Sequence, residues 1–284
     1  MPSSERARAT GAPAVLYWFY DSPDISANHL RLARLGAPGV QYFGLYGGTR
    51  PLDQFRGVTE LLDNVWSHPP VDPNWAWRNG DLMLARWFRE RGAGLDWDAL
   101  LVHQWDLVLA HDARSVVDML GDAQVCLPGV RPLPEVRESW VWVQPWSHYR
   151  AEFDAFLAAT AIDEADVRCC VFVYGVFTKA FFAAYAVTAA GLPGFVEYRL
   201  PTLAALLGFD VADSGDEPFW NGALGGDELL NGSGHVVDVS EMRASTRRRV
   251  AWHPVHVTLS DRELLDLRHA GTLRGSASTP EAVE

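Results

Sequence analysis

The chain has 284 residues, 48% of them hydrophobic, and a formal charge of −12. That is enough length and apolar content for one large α/β domain or two small ones with a substantial core. The acidic balance repels phosphate backbones, which argues against general nucleic-acid binding, and no stretch reads as a membrane span. The longest apolar region, 171 to 190, is broken by Lys179 and reads as a strand followed by a helix.

In chain order, residues 1 to 12 hold no apolar stretch suited to secretion and read as a loose tail, as does the small, polar segment 275 to 284. The segment 14 to 23, AVLYWFYDSP, predicts a strand stopped by Asp21, Ser22 and Pro23. A helix capped by Ser26 follows, with Leu30, Leu32 and Leu35 on one face, until Gly36 and Pro38 end it. VQYFGLYGG at 40 to 48 predicts a second strand, and strand, helix, strand at this spacing is a βαβ unit with parallel pairing. Phe55, Val58, Leu61, Leu62 and Val65 predict a helix over 53 to 66, and a Trp-rich loop follows it. A helix over 79 to 92, capped by Asn79, then leads into an apolar strand ending at Asp106.

Beyond Asp106, the expected elements are a helix over 107 to 120, an apolar segment at 123 to 130, and a helix over 147 to 161. A β-rich run at 167 to 177, a helix over 180 to 191, a helix within 195 to 209 and a short strand at 236 to 239 complete the series. Neither a repeat nor a long linker divides the chain. The fold class is therefore α/β, a single Rossmann-like αβα domain with a mostly parallel mixed sheet.

The segment 97 to 106, WDALLVHQWD, carries most of the chemistry, because a buried strand here ends in a carboxylate. In open α/β sheets the ligand crevice lies beyond the carboxyl ends of the strands. Asp106 is thus placed to hold a metal, a phosphate or a sugar, or else to cap the helix after it. His103 and Gln104 alternate in direction along that strand, so His103 points away from the side chain beside it.

Arg243 and Arg247 to Arg249 form a basic patch ahead of HPVH at 253 to 256, able to hold a diphosphate or to lie solvated. HPVH is not a helical zinc motif, and two His three apart on a strand would point to opposite faces. Twelve Trp, many near polar or Pro-rich loops, suit sugar or nucleobase contacts as well as core filling. Cys126, Cys169 and Cys170 have no metal spacing and read as small hydrophobes in a reducing cytoplasm. Gly47 and Gly48 form no GxGxxG pattern, and neither GxSxG nor HExxH occurs, which counts against dinucleotide, serine-hydrolase and zinc-hydrolase chemistry.

The early βαβ unit, the mid-chain strand ending in Gln104, Trp105, Asp106, the acid before a helix in EYRLPTLAALLGF at 197 to 209, and the late His together resemble the GT-A class of glycosyltransferases. The resemblance spans about 14 to 259. It implies a nucleotide half (about 13–110) and an acceptor half (about 111–260), followed by a C-terminal helix and tail (261–284). It further implies a nucleotide-sugar donor and a small-molecule or glycan acceptor. Tyr20, Asp21 and Ser22 would hold base and ribose, with the Asn79, Asp81 and Arg86 region, Gln104 and Trp105 contributing to the donor site.

A divalent cation, Mn or Mg, would take Asp106 with His253 or His256, although Gln104 stands where the class usually carries a first acid. Glu197 would be the base, unless it pairs with Arg199 or caps its own helix. A non-catalytic sugar- or partner-binding domain of the same fold is one alternative. A nucleotidyltransferase is another, but DSPDISANHL lacks the Gly-rich basic loop that such enzymes carry after their first strand.

Overall fold

A computed structural model describes residues 12–216, 218, 229–231, 235–245 and 250–273, with side chains up to His269 in the last helix. The first strands are β1 (Pro13–Phe19), β2 (Gln41–Tyr46), β3 (Asn64–Ser67), β4 (Ala99–Gln104) and β5 (Val108–Leu109). After them come β6 (Val125–Leu127), β7 (Arg131–Pro132), β8 (Arg168–Cys169), β9 (Tyr174–Thr178), β10 (Val211–Asp213) and β11 (Ala251–Trp252). Seven of these form one sheet in the order β10-β6-β9-β4-β1-β2-β3. All run parallel except β9, which is antiparallel to both neighbours. The expected mostly parallel α/β sheet is the observed one.

β1 and β4 are buried along nearly their whole length, as strands covered on both faces must be. From β1 the order runs to β2 and β3 on one side and to β4 on the other. The chain therefore changes winding direction between β1 and β4, and a crevice opens beyond their carboxyl ends. Side-chain alternation sorts the residues there. Tyr17 packs edge-on against His103 on one face, while Trp18 meets Tyr20 on the other.

Glycine makes one close approach possible. A Cβ at Gly80 would lie 2.7 Å from Cζ3 of the buried Trp18 indole, which has no free end to move aside. Gly80→Ala is expected to cost about 1–3 kcal/mol by overpacking. The check is a lower denaturant midpoint with an unchanged m value.

A smaller apolar cluster including Leu32, Val108, Trp252, Val255, Leu259, Leu264 and Leu267 fastens the C-terminal part of the chain to the helix Pro23–Arg34 and to β5. Asn28 seals it, donating to the Leu259 carbonyl and accepting from the Leu259 amide, both at 2.9 Å. No described helix is long and apolar enough to cross a membrane.

Four local expectations are corrected. The segment 53 to 66 is not one helix: a 3-10 turn and a short helix end at Thr59, and Asn64–Ser67 pairs with β2 as an edge strand. Val65 and Trp66 gain more by joining the sheet than by extending an isolated helical turn. The Trp-rich segment holds a helix, Pro73–Arg78, because Asp72 caps it by accepting from the Trp75 amide.

The helix expected from 107 starts only at Ala113. Residues 108 and 109 pair instead with β11, and Asp112 accepts from the Ser115 amide as the cap. The expected strand at 236 to 239 gives way to a helix, Val239–Ala244, where Asp238 and Glu241 form a reciprocal capping box.

Candidate active site

A cavity of about 260 Å³ lies at the carboxyl ends of β1 and β2. Its walls include Trp18, Tyr20, Asp21, Thr49, Arg50 and Trp77. Tyr20 and Asp21, expected as donor-site residues, are in this lining. Ser22 is not, but its amide donates to Asp21 Oδ1 at 2.7 Å. Ser22 holds a left-handed backbone, φ 45°, to make the sharp exit from β1 into the following helix.

Gln104 donates its amide Nε2 to the Tyr20 hydroxyl at 2.8 Å, so its side chain is committed to the cavity wall. The Trp105 ring meets Tyr20 edge-on and stacks on His256 with centroids 5.3 Å apart. Burial and the charge of Asp106 push the Tyr20 phenol upward, keeping it neutral.

Asp106 is 6% exposed. Its Oδ1 lies 3.3 Å from His253 Nε2, and its Oδ2 lies 3.5 Å from His256 Nε2. Burial alone would raise this carboxyl, but the two imidazoles outweigh it and hold Asp106 well below the usual carboxylate range. His256 is raised in turn by its hydrogen bond to Asp106, against a smaller opposing effect of burial.

The expectation that the two His point to opposite faces is corrected. β11 ends at Trp252, and the irregular segment after it turns both rings toward Asp106. The Val255 amide donates to the Asp106 carbonyl at 2.8 Å, and His29 sits 3.0 Å from the carbonyls of both Trp105 and Val257. Asp106 does not cap the next helix; Asp112 does. His103 points to the opposite face and faces the Leu107 carbonyl, and burial lowers it to about 4, which makes it a neutral core side chain.

Asp106 Oδ1 and His253 Nε2 are both buried, and among the described residues neither has a well-aligned hydrogen-bond partner. Two buried polar atoms 3.3 Å apart that lack a well-aligned partner form a place where a small cation could sit. Among the described residues no group of three or more His, Cys, Asp or Glu is placed as a ready-made metal cage. The donor set therefore fits a cation that takes few protein ligands and completes its shell with substrate oxygens.

Glu197 starts the helix Val196–Leu206 and is 9% exposed. It neither pairs with Arg199 nor caps its helix. Instead Oε1 accepts from the Phe172 amide at 3.2 Å. Phe172 lies two residues before Tyr174, which is opposite His103 in the β4–β9 pairing, so Glu197 sits at the carboxyl end of β4. Burial without a cation raises Glu197 to about 8, opposed only by the Phe172 amide and the Trp142 side chain.

Trp142 connects it to the cavity: its ring lies 5.1 Å from that of Trp77 and 4.1 Å from that of Phe195. Glu197 and Asp106 are not themselves in the cavity lining: Glu197 is linked to it through Trp142 and Trp77, and Asp106 through His256, Trp105 and Tyr20.

Asp81 is not brought to the cavity. It is fully buried and pairs with Arg199, Nε to Oδ2 at 2.8 Å and Nη2 to Oδ1 at 2.5 Å, with the Tyr185 hydroxyl as a third partner. Asn79 completes the network by accepting from Arg199 Nη2 at 3.1 Å, and Arg86 pairs at the surface with Glu90. Of the basic patch, Arg243 pairs with Glu263, and Arg247 to Arg249 lie outside the described residues. Arg50 had no part in the sequence reading, whereas Trp77 and Trp142 were among the Trp near polar or Pro-rich loops that suit sugar or nucleobase contacts. Arg50 was legible as a cation two residues after the glycine pair that ends β2, whereas nothing local set these two Trp apart from the others in such loops.

No family model and no curated protein matches the chain. Among solved structures it is similar to WbbM, a bifunctional glycosyltransferase in its apo form, at 15% identity and a TM-score of 0.43 over 72% of this chain and 39% of that one. It is also similar to core-mannan synthase A (CmsA/Ktr4) from Aspergillus fumigatus in an Mn/GDP form, at 12% identity and a TM-score of 0.39 over 75% and 74%. A third is the galactosyltransferase LgtC in complex with donor and acceptor sugar analogues, at 10% identity and a TM-score of 0.41 over 94% and 98%. The match spans about two-fifths of the length of WbbM.

Proposed function

We propose that the chain is a glycosyltransferase of the GT-A kind, moving a sugar from a nucleotide-diphosphate donor to a hydroxyl of a small-molecule or glycan acceptor. The observation that carries this reading is the meeting of Asp106, His253 and His256 at the end of β4, beside an aromatic cavity at the point where the sheet changes winding direction. In this reading Tyr20 and Asp21 hold the nucleoside and Gln104 fixes the Tyr20 ring. Trp105 positions His256 by stacking.

Asp106 and His253, with His256 at the rim, would hold a divalent cation such as Mn or Mg. When bound, the cation supplies positive charge to the departing diphosphate. Gln104 contributes no second carboxylate, so the site carries one negative charge and depends on donor oxygens to complete it. Glu197 takes the proton of the acceptor hydroxyl as that oxygen bonds to the anomeric carbon and the bond to the diphosphate breaks. The raised Glu197 makes a strong base once ionised, and its burial keeps bulk water from competing.

The test is a thermal-shift panel of UDP, GDP, dTDP and CDP sugars with and without Mn, since a ligand bound only by the folded state raises its apparent stability. A shift with at least one donor is expected, and a flat panel on folded protein would overturn the reading. Asp106→Asn is expected to abolish the Mn-dependent part of the shift while leaving the metal-free part in place. The loss of a second acid at Gln104 favours one rival, a domain that binds donor without turnover. Donor binding with no transferred sugar in a product assay would establish that rival.

A further inference from the structure

We propose that the cavity between the ends of β1 and β2 selects guanine, so that the donor is a guanosine-diphosphate sugar. The inference rests on the donor-nucleotide reading above and concerns the same cavity. Trp18, Tyr20 and Trp77 with Val71, Pro73 and Ala76 give it flat, largely apolar walls. At about 260 Å³ it is small for a whole nucleotide sugar and suited to a base with part of its ribose. Stacking on such walls tolerates every base, because each has a π face. Selection must come from the polar groups.

The charged groups in this lining are Asp21 and Arg50, whose side chains meet at 3.3 Å and are each about half exposed. Asp21 Oδ1 is occupied by the Ser22 amide and by Arg50. Oδ2 has no hydrogen-bond partner among the described residues, which leaves an acceptor on the wall. A carboxylate only accepts and a guanidinium only donates, so the two lone pairs of Oδ2 can take two adjacent donors of a base edge while Arg50 meets acceptors beside them. Guanine has this pattern: N1–H and the 2-amino group lie side by side, with O6 and N7 next along the rim.

Uracil offers one N–H between two carbonyl oxygens, so it can fill only one of the two lone pairs of Oδ2. Adenine and cytosine place a ring-nitrogen acceptor beside their single amino group, with the same consequence. The Ser22 amide and Arg50 hold the carboxylate in place before any ligand arrives, which lowers the cost of recognition.

The experiment is calorimetric titration of the full chain with GDP, IDP, UDP, CDP and ADP, repeated on Asp21→Asn. IDP differs from GDP only in lacking the 2-amino group. Guanine selection requires GDP to bind tightest, IDP to bind more weakly by roughly tenfold to a hundredfold, and Asp21→Asn to erase the gap between the two. Equal affinity for GDP and IDP, or a preference for UDP, CDP or ADP, overturns guanine selection and leaves the donor-nucleotide reading standing. Failure of every nucleotide to bind folded protein removes both. The comparison of GDP with IDP needs no variant, so it decides the matter even if Asp21→Asn folds poorly.

Discussion

Glu197→Gln is expected to lower sugar transfer by about 10²–10⁴-fold, the usual contribution of a positioned general base, while making the protein more stable at alkaline pH. The two effects have one origin. In the folded chain the carboxyl is buried without a cation and holds its proton to about pH 8. In the unfolded chain it releases that proton near the ordinary value of 4.5. Between those two values the unfolded state is ionised and the folded state is not, so stability falls as pH rises through the window. The full shift corresponds to a loss of up to about 5 kcal/mol by the top of the window.

The glutamine variant has no proton to lose. Its stability curve should coincide with that of the parent near pH 4.5 and lie progressively above it toward pH 8. Denaturant melts of both proteins across this range provide the check, and parallel curves would mean that Glu197 is not the buried acid described. On the activity side, kcat/KM of the parent should climb with pH and level off above about 8, as the base becomes ionised. Turnover unchanged in Glu197→Gln would remove this residue as base.

The second large effect is structural. Asp81→Ala leaves the Arg199 guanidinium at 0% exposure without its counter-ion, and breaking a buried pair in this way costs roughly 3–5 kcal/mol. Replacing both partners, Asp81→Leu with Arg199→Met, should cost far less, because no uncompensated charge remains. Asp81→Leu alone, Arg199→Met alone and the double therefore form a strongly non-additive cycle, readable from unfolding midpoints. Additive losses would show that the pair is not a coupled unit.

The network also bears on the site. Arg199 ties the helix Val196–Leu206 to the helix Gly80–Glu90, and Glu197 projects from the first of these, two residues upstream. Loosening the tie is thus expected to lower turnover as well as stability, and restoring an acid with Asp81→Glu should recover part of both.

The first βαβ unit was readable from residues 14 to 48, because both strands are continuous apolar runs closed by turn residues and the helix between them has a clean apolar face. The strand leading to Asp106 was readable for the same reason, and so was the alternation that turns His103 away from Gln104. Misreadings fell where local preference is weak and a distant partner decides. The segment 64 to 67 has an apolar spacing that suits a helix, yet an open edge of β2 was waiting for it. Residues 108 and 109 could have begun a helix but met β11, which lies more than 140 residues later in the chain.

For the site, an acid at a strand end marked the place of Asp106 without indicating its company. His253 and His256 reach it only because Val255, Leu259, Leu264 and Leu267 bury themselves against Leu32 and Val108, a long-range apolar contact that no local pattern encodes. Asp81 and Glu197 show the same division. Both are acids in the first turn of a helix, and on local grounds nothing separates them. Folding gives Arg199 to Asp81 and leaves Glu197 with a backbone amide in an apolar setting, so one carboxylate is neutralised as structure and the other keeps a proton it can exchange. Periodicity and turn chemistry are properties of neighbouring residues and can be read along the chain. The charge state of a buried acid depends on which distant groups packing brings to it, and that is set only when the layers close.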